Sequence, residues 1–202
     1  GILFIVDEVI CGFGRTGKWF GSETFKLEPD MMTLAKGLSS GYVPISAVMV
    51  GERVARGLID DKGEFAHGFT YSGHPVACAV ALENLRILQD EGIVERVGSD
   101  TGPYLQSALR SLADHPLVGE ARGIGMVGAL ELVRDKDGPV TFEPAGKAGD
   151  ICRDHCLDNG LIMRATGDTM IISPPLIITR AEIDRLVNTA RKALDLTLAD
   201  GS

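Results

Sequence analysis

Residues 31–41 read Met-Met-Thr-Leu-Ala-Lys-Gly-Leu-Ser-Ser-Gly, an apolar run that leads into one lysine and then into small residues. The run predicts a short buried strand over residues 31–35, and the small residues from Gly37 onward predict a loop that another molecule can approach closely. Two interpretations of Lys36 are open: a strand-end lysine that reaches solvent, or a desolvated amine. Desolvation lowers the pKa of a lysine, and a neutral amine attacks an aldehyde to form a Schiff base.

The upstream run at residues 2–6 reads Ile-Leu-Phe-Ile-Val and ends at an acid, Asp7. Because the run has no polar alternation, it predicts a strand that is covered on both faces, as in a parallel sheet. Parallel sheets place their ligands at the carboxyl ends of the strands, so we expect Asp7 and Lys36 to lie at the same edge. A buried carboxylate keeps a neighbouring ring nitrogen protonated, and a protonated pyridine ring is the electron sink of pyridoxal phosphate (PLP) chemistry.

Several further stretches follow in a fixed order and carry a family resemblance. They are residues 7–10 (Asp-Glu-Val-Ile), 12–17 (Gly-Phe-Gly-Arg-Thr-Gly), 19–21 (Trp-Phe-Gly), 29–30 (Pro-Asp), 32–42 (Met-Thr-Leu-Ala-Lys-Gly-Leu-Ser-Ser-Gly-Tyr), 67–75 (His-Gly-Phe-Thr-Tyr-Ser-Gly-His-Pro), 161–165 (Leu-Ile-Met-Arg-Ala) and 173–176 (Ser-Pro-Pro-Leu). In these stretches the chain resembles the class III PLP-dependent aminotransferases, and most closely the omega-amino acid and amine:pyruvate transaminases. The resemblance extends over essentially all 202 residues.

The resemblance implies an α/β protein with the PLP-dependent transferase fold of type I. Residues 1–97 would form the carboxyl-terminal part of a large, mostly parallel-sheet domain that binds PLP, and residues 98–202 a small C-terminal α+β domain. The likeness is to the carboxyl-terminal half of such an enzyme only, since Gly1 begins inside a predicted strand. The other half would, by resemblance, supply the turn that holds the cofactor phosphate, the aromatic residue on the ring and much of the substrate pocket.

Three residues near the two strands match the positions that hold PLP in this family. Lys36 matches the lysine that links to the cofactor and then moves the proton between substrate and cofactor carbons. Asp7 matches the acid that pairs with the pyridinium nitrogen; its alternative role is a satisfied structural acid. Val9 matches the apolar residue beneath the ring, and a plain core valine would look almost the same.

Other matches lie further along the chain. Thr70 corresponds to the threonine that reaches the cofactor phosphate, typically that of the neighbouring subunit, although a turn-stabilising threonine would look alike. Arg164 corresponds to the arginine that binds a keto-acid carboxylate through its planar fork; the alternative is a surface ion pair. Trp19 and Phe20 would border the substrate pocket or belong to an aromatic core, and Arg15 is expected to order its glycine loop.

The resemblance therefore implies a transaminase subunit that moves an amino group from an amine or omega-amino acid to pyruvate or a similar keto acid. Its expected partners are these small molecules and a second copy of itself, in a homodimer or higher homo-oligomer. One alternative is a noncatalytic remnant or proteolytic fragment that keeps the family residues without a complete site. Aminomutases and racemases on the same fold keep the lysine and the aspartate too, but Arg164 and the Trp19 element favour transamination.

Composition limits the other classes of function. With a net charge of −8, 45% hydrophobic and 24% charged residues, the chain predicts a globular protein that binds neither nucleic acid nor anionic membrane. Neither a membrane span of roughly 18 to 20 apolar residues nor a targeting segment is found, so a cytoplasmic location with reduced cysteines is expected. A metal cluster of Cys152, His155 and Cys156 lacks a second ligand pair, and a helix with small apolar cysteines is favoured.

A dinucleotide-binding domain is not favoured either. Residues 12–17 and 123–128 both satisfy G-x-G-x-x-G, but neither match opens an apolar-periodic helix. The first continues as Lys-Trp-Phe-Gly with no acid at a strand end about 20 residues on, and the second leads into a strand-like stretch.

Local patterns predict the remaining elements as alternating strands and helices. Strands are expected at residues 45–50, 117–121, 126–132, 162–164 and 170–172, and helices at residues 22–27, 53–59, 103–112, 146–159 and 180–198. A polar hairpin-like tip is expected at residues 60–64 and a turn-rich loop at residues 67–75. Pro75 suits the first position of a long helix that continues to about Val97, which we expect to cross between the two domains.

Overall fold

The computed structural model describes residues 1–60, 65–138 and 140–201 and divides into two compact units, Gly1–Glu95 and Arg96–Ser202. Most of the predicted tip at residues 60–64 lies outside the described residues. Each unit contains one sheet, and the fold is α/β with helices between the strands.

The sheet of the first unit has the order β1-β2-β3, with β1 at Ile5–Asp7, β2 at Met31–Leu34 and β3 at Ala47–Val50. β1 and β2 are parallel, whereas β3 runs antiparallel to β2. The sheet is therefore mixed. Both apolar runs contain a strand, although β1 begins at Ile5, three residues later than predicted. Their parallel pairing brings their carboxyl ends to one edge.

The two-sided burial expected for these strands is not provided by the described residues. Ile5 in β1 is 53% exposed, and Val48 and Met49 on β3 are 60% and 55% exposed. Leu34, the last residue of β2, is buried. An apolar sheet this exposed is the kind of surface that proteins cover with another segment or subunit.

The helices of the first unit are α1 (Gly21–Phe25), α2 (Glu52–Asp60) and α3 (Pro75–Asp90). Pro75 occupies the start of α3 as predicted. The expected continuation to Val97 is wrong, because Gly92 adopts a left-handed conformation (φ +58°) and ends the helix. The chain turns helical again as α4 (Ile93–Arg96), which lies at the boundary between the units.

The second unit packs helices on an antiparallel sheet of order β4-β5-β7-β6. Its elements are α5 (Gly102–Arg110), β4 (Val118–Ile124), β5 (Val127–Leu132), α6 (Lys147–Asp158), β6 (Arg164–Thr166), β7 (Thr169–Ile172) and α7 (Arg180–Ala199). The second G-x-G-x-x-G match lies across the β4–β5 hairpin, so its strand context is confirmed. β6 begins two residues later than predicted.

The core of the second unit is one apolar cluster between the sheet and its helices. Its largest fully buried side chains include Leu105, Leu112, Met126, Leu130, Met170, Ile183 and Leu194. The start of α7 is fixed by a capping box, in which Glu182 Oε2 accepts a hydrogen bond from the Thr179 backbone N (2.8 Å) and Thr179 Oγ1 accepts one from the Glu182 backbone N (3.3 Å). Among the described residues, no helix combines the length and apolar character that a bilayer crossing requires.

Candidate cofactor-binding site

Asp7 is the last residue of β1 and lies opposite Thr33 of β2 in the parallel register. One of its carboxylate oxygens, Oδ1, accepts hydrogen bonds from Thr33 Oγ1 (3.1 Å) and from the Val9 backbone N (3.0 Å). The other oxygen, Oδ2, has no hydrogen-bond partner among the described residues. The carboxylate is thus held in orientation through one oxygen, and the second remains available to an external donor.

Lys36 follows β2 and begins a short 3₁₀ turn, Lys36–Leu38. Its backbone adopts φ +37°, a left-handed conformation that is uncommon outside glycine and that clusters at functional sites. Its side chain is exposed, and its amine forms neither a hydrogen bond nor an ion pair with any described residue. Within the described residues, Lys36 therefore matches the first interpretation, a strand-end lysine that reaches solvent. The described residues do not supply the burial that a desolvated amine requires.

The loop between β1 and α1 packs against this turn. A Cβ on Gly37 would lie 3.0 Å from Phe13 Cβ and 3.3 Å from the Gly12 carbonyl oxygen, so glycine permits the close approach. Phe13 is buried, and its backbone N donates to the Trp19 carbonyl oxygen (2.6 Å). The motif at residues 12–17 serves here as a packing partner of the lysine turn.

Glu8 is a structural residue that the sequence reasoning missed. It is fully buried, and its carboxylate accepts hydrogen bonds from the backbone N of Gly21 (2.8 Å) and of Ser22 (2.6 Å). These two donors compensate the buried charge and fix the loop to the start of α1. The only signal in the sequence was its position next to Asp7. Adjacent residues at a strand end point to opposite sides, which would direct Glu8 away from Asp7.

The aromatic and basic residues of the same loop are partly buried. Trp19 and Phe20 are intermediate in exposure, and Phe20 meets Phe13 edge to face with the ring centroids 5.6 Å apart. Burial lowers the pKa of the Arg15 guanidinium from its ordinary value. Burial raises the pKa of the Cys11 thiol, and the carboxylates of Glu8 and Asp7 raise it further, which keeps this neighbouring cysteine protonated.

Thr70 lies in an exposed turn that precedes α3. The turn is closed by Ser72, whose hydroxyl accepts from the Phe69 backbone N (2.9 Å) and whose own backbone N donates to the Phe69 carbonyl oxygen (2.9 Å). The Thr70 hydroxyl has no hydrogen-bond partner among the described residues. The turn-stabilising role considered for Thr70 is performed by Ser72, and the Thr70 hydroxyl is left available.

Arg164 belongs to the second unit, where it starts β6 opposite Ile171. Its side chain is exposed and forms no ion pair with any described residue. The surface ion pair considered as its alternative is therefore not made within the described chain. The guanidinium fork is free to receive a carboxylate.

The cysteines of α6 behave as predicted. Cys152 and Cys156 are buried in the apolar core, whereas His155 faces Asp200, with Nε2 and Oδ2 2.8 Å apart. The three residues do not converge, and no group of three metal-ligating side chains is found in the part of the chain that the structure describes.

The α/β fold is that of the PLP-dependent transferases, since solved transaminase structures superpose on it with TM-scores of 0.95 and 0.96. The family model for class-III aminotransferases matches residues 1–194, and the chain belongs to this family. A putrescine–pyruvate aminotransferase of Pseudomonas aeruginosa is 61% identical over 198 residues, which cover 98% of this chain and 43% of that protein.

Solved structures give the same result. A transaminase with L-Ala has a TM-score of 0.96 and 46% identity, covering 100% of this chain and 48% of that one. An omega transaminase from Pseudomonas jessenii in complex with PMP has a TM-score of 0.93 and 47% identity, covering 97% of this chain and 44% of that one. The chain thus spans less than half the length of the relatives it matches.

Proposed function

We propose that this chain is part of a PLP-dependent transaminase that transfers an amino group from an amine or omega-amino acid to pyruvate or a similar keto acid. The observation that carries the proposal is the edge where the paired strands β1 and β2 end. β1 ends in an oriented carboxylate with one open oxygen, and β2 is followed by a lysine with an open amine. The name of the relative that is 61% identical supports pyruvate as the acceptor class.

The donor set at this edge fits PLP, which would need an amine for its aldehyde and an anion for its ring nitrogen. When bound, PLP supplies an aldehyde for covalent attachment and a ring that accepts the electron pair left by a departing proton. Asp7 Oδ2 would accept a hydrogen bond from the protonated ring nitrogen, and the negative charge of the carboxylate would keep that nitrogen protonated. Lys36 Nζ would bind the aldehyde carbon and, once released, carry a proton between the substrate and cofactor carbons.

The remaining site residues have supporting roles in the proposal. Val9 would contact the face of the ring, and Trp19 would border the substrate pocket. The free hydroxyl of Thr70 would bind the phosphate of a neighbouring subunit's cofactor, which requires a homodimer or higher homo-oligomer. Arg164 would bind the carboxylate of the keto acid through its fork.

The larger assignments belong to the same proposal. Residues 1–97 would be the carboxyl-terminal part of the PLP-binding domain and residues 98–202 the small domain, in a cytoplasmic enzyme. The second candidate is a noncatalytic module, which is favoured by the exposure of Lys36 and of the first sheet. Aminomutase or racemase activity would need the same lysine and aspartate but no Arg164 carboxylate site.

The intact protein, loaded with PLP, tests the proposal directly. We expect an absorbance near the visible edge, and reduction with borohydride should fix the cofactor onto Lys36, because this amine is open at the strand edge. Peptide mass spectrometry locates the label. A label on Lys18, Lys26 or Lys62 would contradict the assignment, and the absence of any label would favour the noncatalytic module.

Arg164→Ala should weaken one half of the reaction only. A charge-assisted contact to a carboxylate contributes about 1.5 to 3 kcal/mol, so use of pyruvate should fall roughly tenfold to a hundredfold, whereas a simple arylalkyl amine has no carboxylate to lose. The two half-reactions are followed separately by the cofactor's spectrum. Arg164→Lys should restore only part of the loss, because an ammonium lacks the planar fork.

Arg153→Ala is the matched control for Arg164→Ala. Arg153 is also an arginine of the second unit, and it pairs with Asp150 and Asp154 on the surface of α6. Its removal should leave both half-reactions unchanged. Equal losses for keto acid and amine in Arg164→Ala would mean that this arginine supports the fold or the cofactor instead.

A further inference from the structure

The turn that carries Lys36 is weakly supported by its own backbone. Lys36 and Ser40 adopt positive φ angles of 37° and 49°, conformations that carry a steric cost in residues other than glycine. Two of its internal hydrogen bonds are long, from Ser39 N to the Lys36 carbonyl oxygen (3.3 Å) and from Ser40 N to the Gly37 carbonyl oxygen (3.4 Å). The bond from Leu38 N to the Ala35 carbonyl oxygen is of ordinary length (2.8 Å), so the weakly supported part of the turn is its end, where an external partner can hold one geometry.

Asn84 of α3 provides that partner. Its Nδ2 donates to the carbonyl oxygens of Gly37 (2.9 Å) and Leu38 (3.1 Å), and its Oδ1 accepts from Ser40 Oγ (2.7 Å). Carbonyl oxygens only accept hydrogen bonds, so the two contacts fix which end of the amide faces the turn. Both polar atoms of the side chain are therefore used to hold the backbone immediately after Lys36.

The place of Asn84 on α3 is informative as well. It lies three residues after Ala81 and four before Leu88, both buried, so the helical period puts it on the inward face where an apolar residue is expected. Asparagine is also a poor residue for a helix interior. Asn84 is thus a polar residue on an apolar face and a weak helix former, and its side chain bonds two carbonyl groups and one hydroxyl of the lysine turn. These contacts explain why an asparagine is found at this position.

We propose that Asn84 is a positioning residue for Lys36. It clamps the 3₁₀ turn to α3 and thereby fixes the direction in which the lysine leaves the strand edge. The inference rests on the proposed function, since it gives the lysine a reason to be held. Misplacement of a reacting group by about 1 Å costs on the order of a hundredfold in rate, so the clamp matters more to turnover than to substrate binding.

The test compares Asn84→Ala and Asn84→Asp in the intact, PLP-loaded protein. We expect kcat to fall about tenfold to a hundredfold with KM for the amine nearly unchanged. Asn84→Asp keeps the size of the side chain but turns oxygens toward two carbonyl oxygens, so its loss should equal or exceed that of Asn84→Ala. Ser40→Ala, which keeps both amide donor contacts, should lose less.

Hydrogen exchange in the cofactor-free protein gives a readout that does not depend on catalysis. Both Asn84 variants should speed the exchange of backbone amides in residues 37–42. In the PLP-loaded protein, borohydride labelling of Lys36 should become slower. Gln89→Ala is the control, because Gln89 is an exposed amide on the same helix whose side chain has no hydrogen-bond partner among the described residues. A thermal unfolding scan confirms that each variant folds.

The outcomes separate the two proposals. Unchanged exchange, or equal changes in kcat and exchange for Asn84→Ala and Gln89→Ala, would overturn the positioning role while leaving Lys36 as the labelled residue. If Lys36 takes no label in the unmodified protein, the proposed function fails. In that case Asn84 has no catalytic role, even if hydrogen exchange shows that it holds the turn.

Discussion

Lys36→Ala is expected to reduce transamination by the intact protein by about 10²- to 10⁴-fold, the range that a positioned acid–base group contributes. The same change removes the covalent attachment point, so borohydride should no longer fix the cofactor to the protein, and the cofactor should be released when the treated variant is denatured. The expectation follows from the open amine at the edge where β1 and β2 end.

The loss should not come from unfolding. Lys36 already adopts a left-handed φ of 37°, and alanine carries the same Cβ, so the substitution adds no new backbone strain. The side chain is exposed and makes no contact that the core would miss. Lys18→Ala, at another exposed lysine, is the control and should retain full activity. Comparable activity in the two variants would show that Lys36 neither attaches the cofactor nor moves the proton.

The elements that the sequence predicted well are those whose signal is local. The apolar run before Lys36 contains its own strand pattern, and the structure confirms it as β2. The last helix was predicted from residue 180, and α7 begins at that residue, where the structure shows a capping box formed by Thr179 and Glu182. In both cases residues within a few positions of one another decide the structure.

Features that depend on distant contacts were not predictable in the same way. The helix from Pro75 was overextended, because the apolar pattern continues through residues 93–97 and hides the helix end that Gly92 imposes. Asn84 contacts Gly37 across 47 residues of sequence, and no local pattern names its partner. The buried charge of Glu8 is likewise tolerated only because α1 starts with two free backbone N–H groups directed at it.

The candidate site shows the same division. The two strands and the acid at the end of β1 were predictable, because an uninterrupted apolar run ending in a polar residue is a local signal. The desolvation of Lys36 was not, because it depends on whatever covers the strand edge, and the described residues leave that edge exposed. The sequence therefore predicts which chemical groups lie at the site, but it does not predict how exposed those groups are to solvent.

Asp7→Asn is expected to lower turnover by about 10²- to 10³-fold, the usual cost of removing one preorganised electrostatic partner. The hydrogen bonds of Asp7 explain why so small a change is so damaging. Thr33 Oγ1 and the Val9 backbone N both donate to Oδ1, so the amide oxygen of the asparagine would occupy that position. Its NH₂ group would then take the open position, where a donor replaces the acceptor that the ring nitrogen needs.

An N–H group at this position would hydrogen-bond to an unprotonated ring nitrogen and so keep the ring neutral, which weakens its capacity to accept electrons. PLP should still bind and still be fixed onto Lys36, because neither the lysine turn nor the carboxylate's two donors is removed. The measurement is single-turnover kinetics together with the cofactor's absorbance, with Asp7→Glu as a comparison that keeps the charge but shifts its position. Full turnover in Asp7→Asn, with the cofactor bound, would remove Asp7 from the mechanism and leave it as a structural acid that joins β1 to β2.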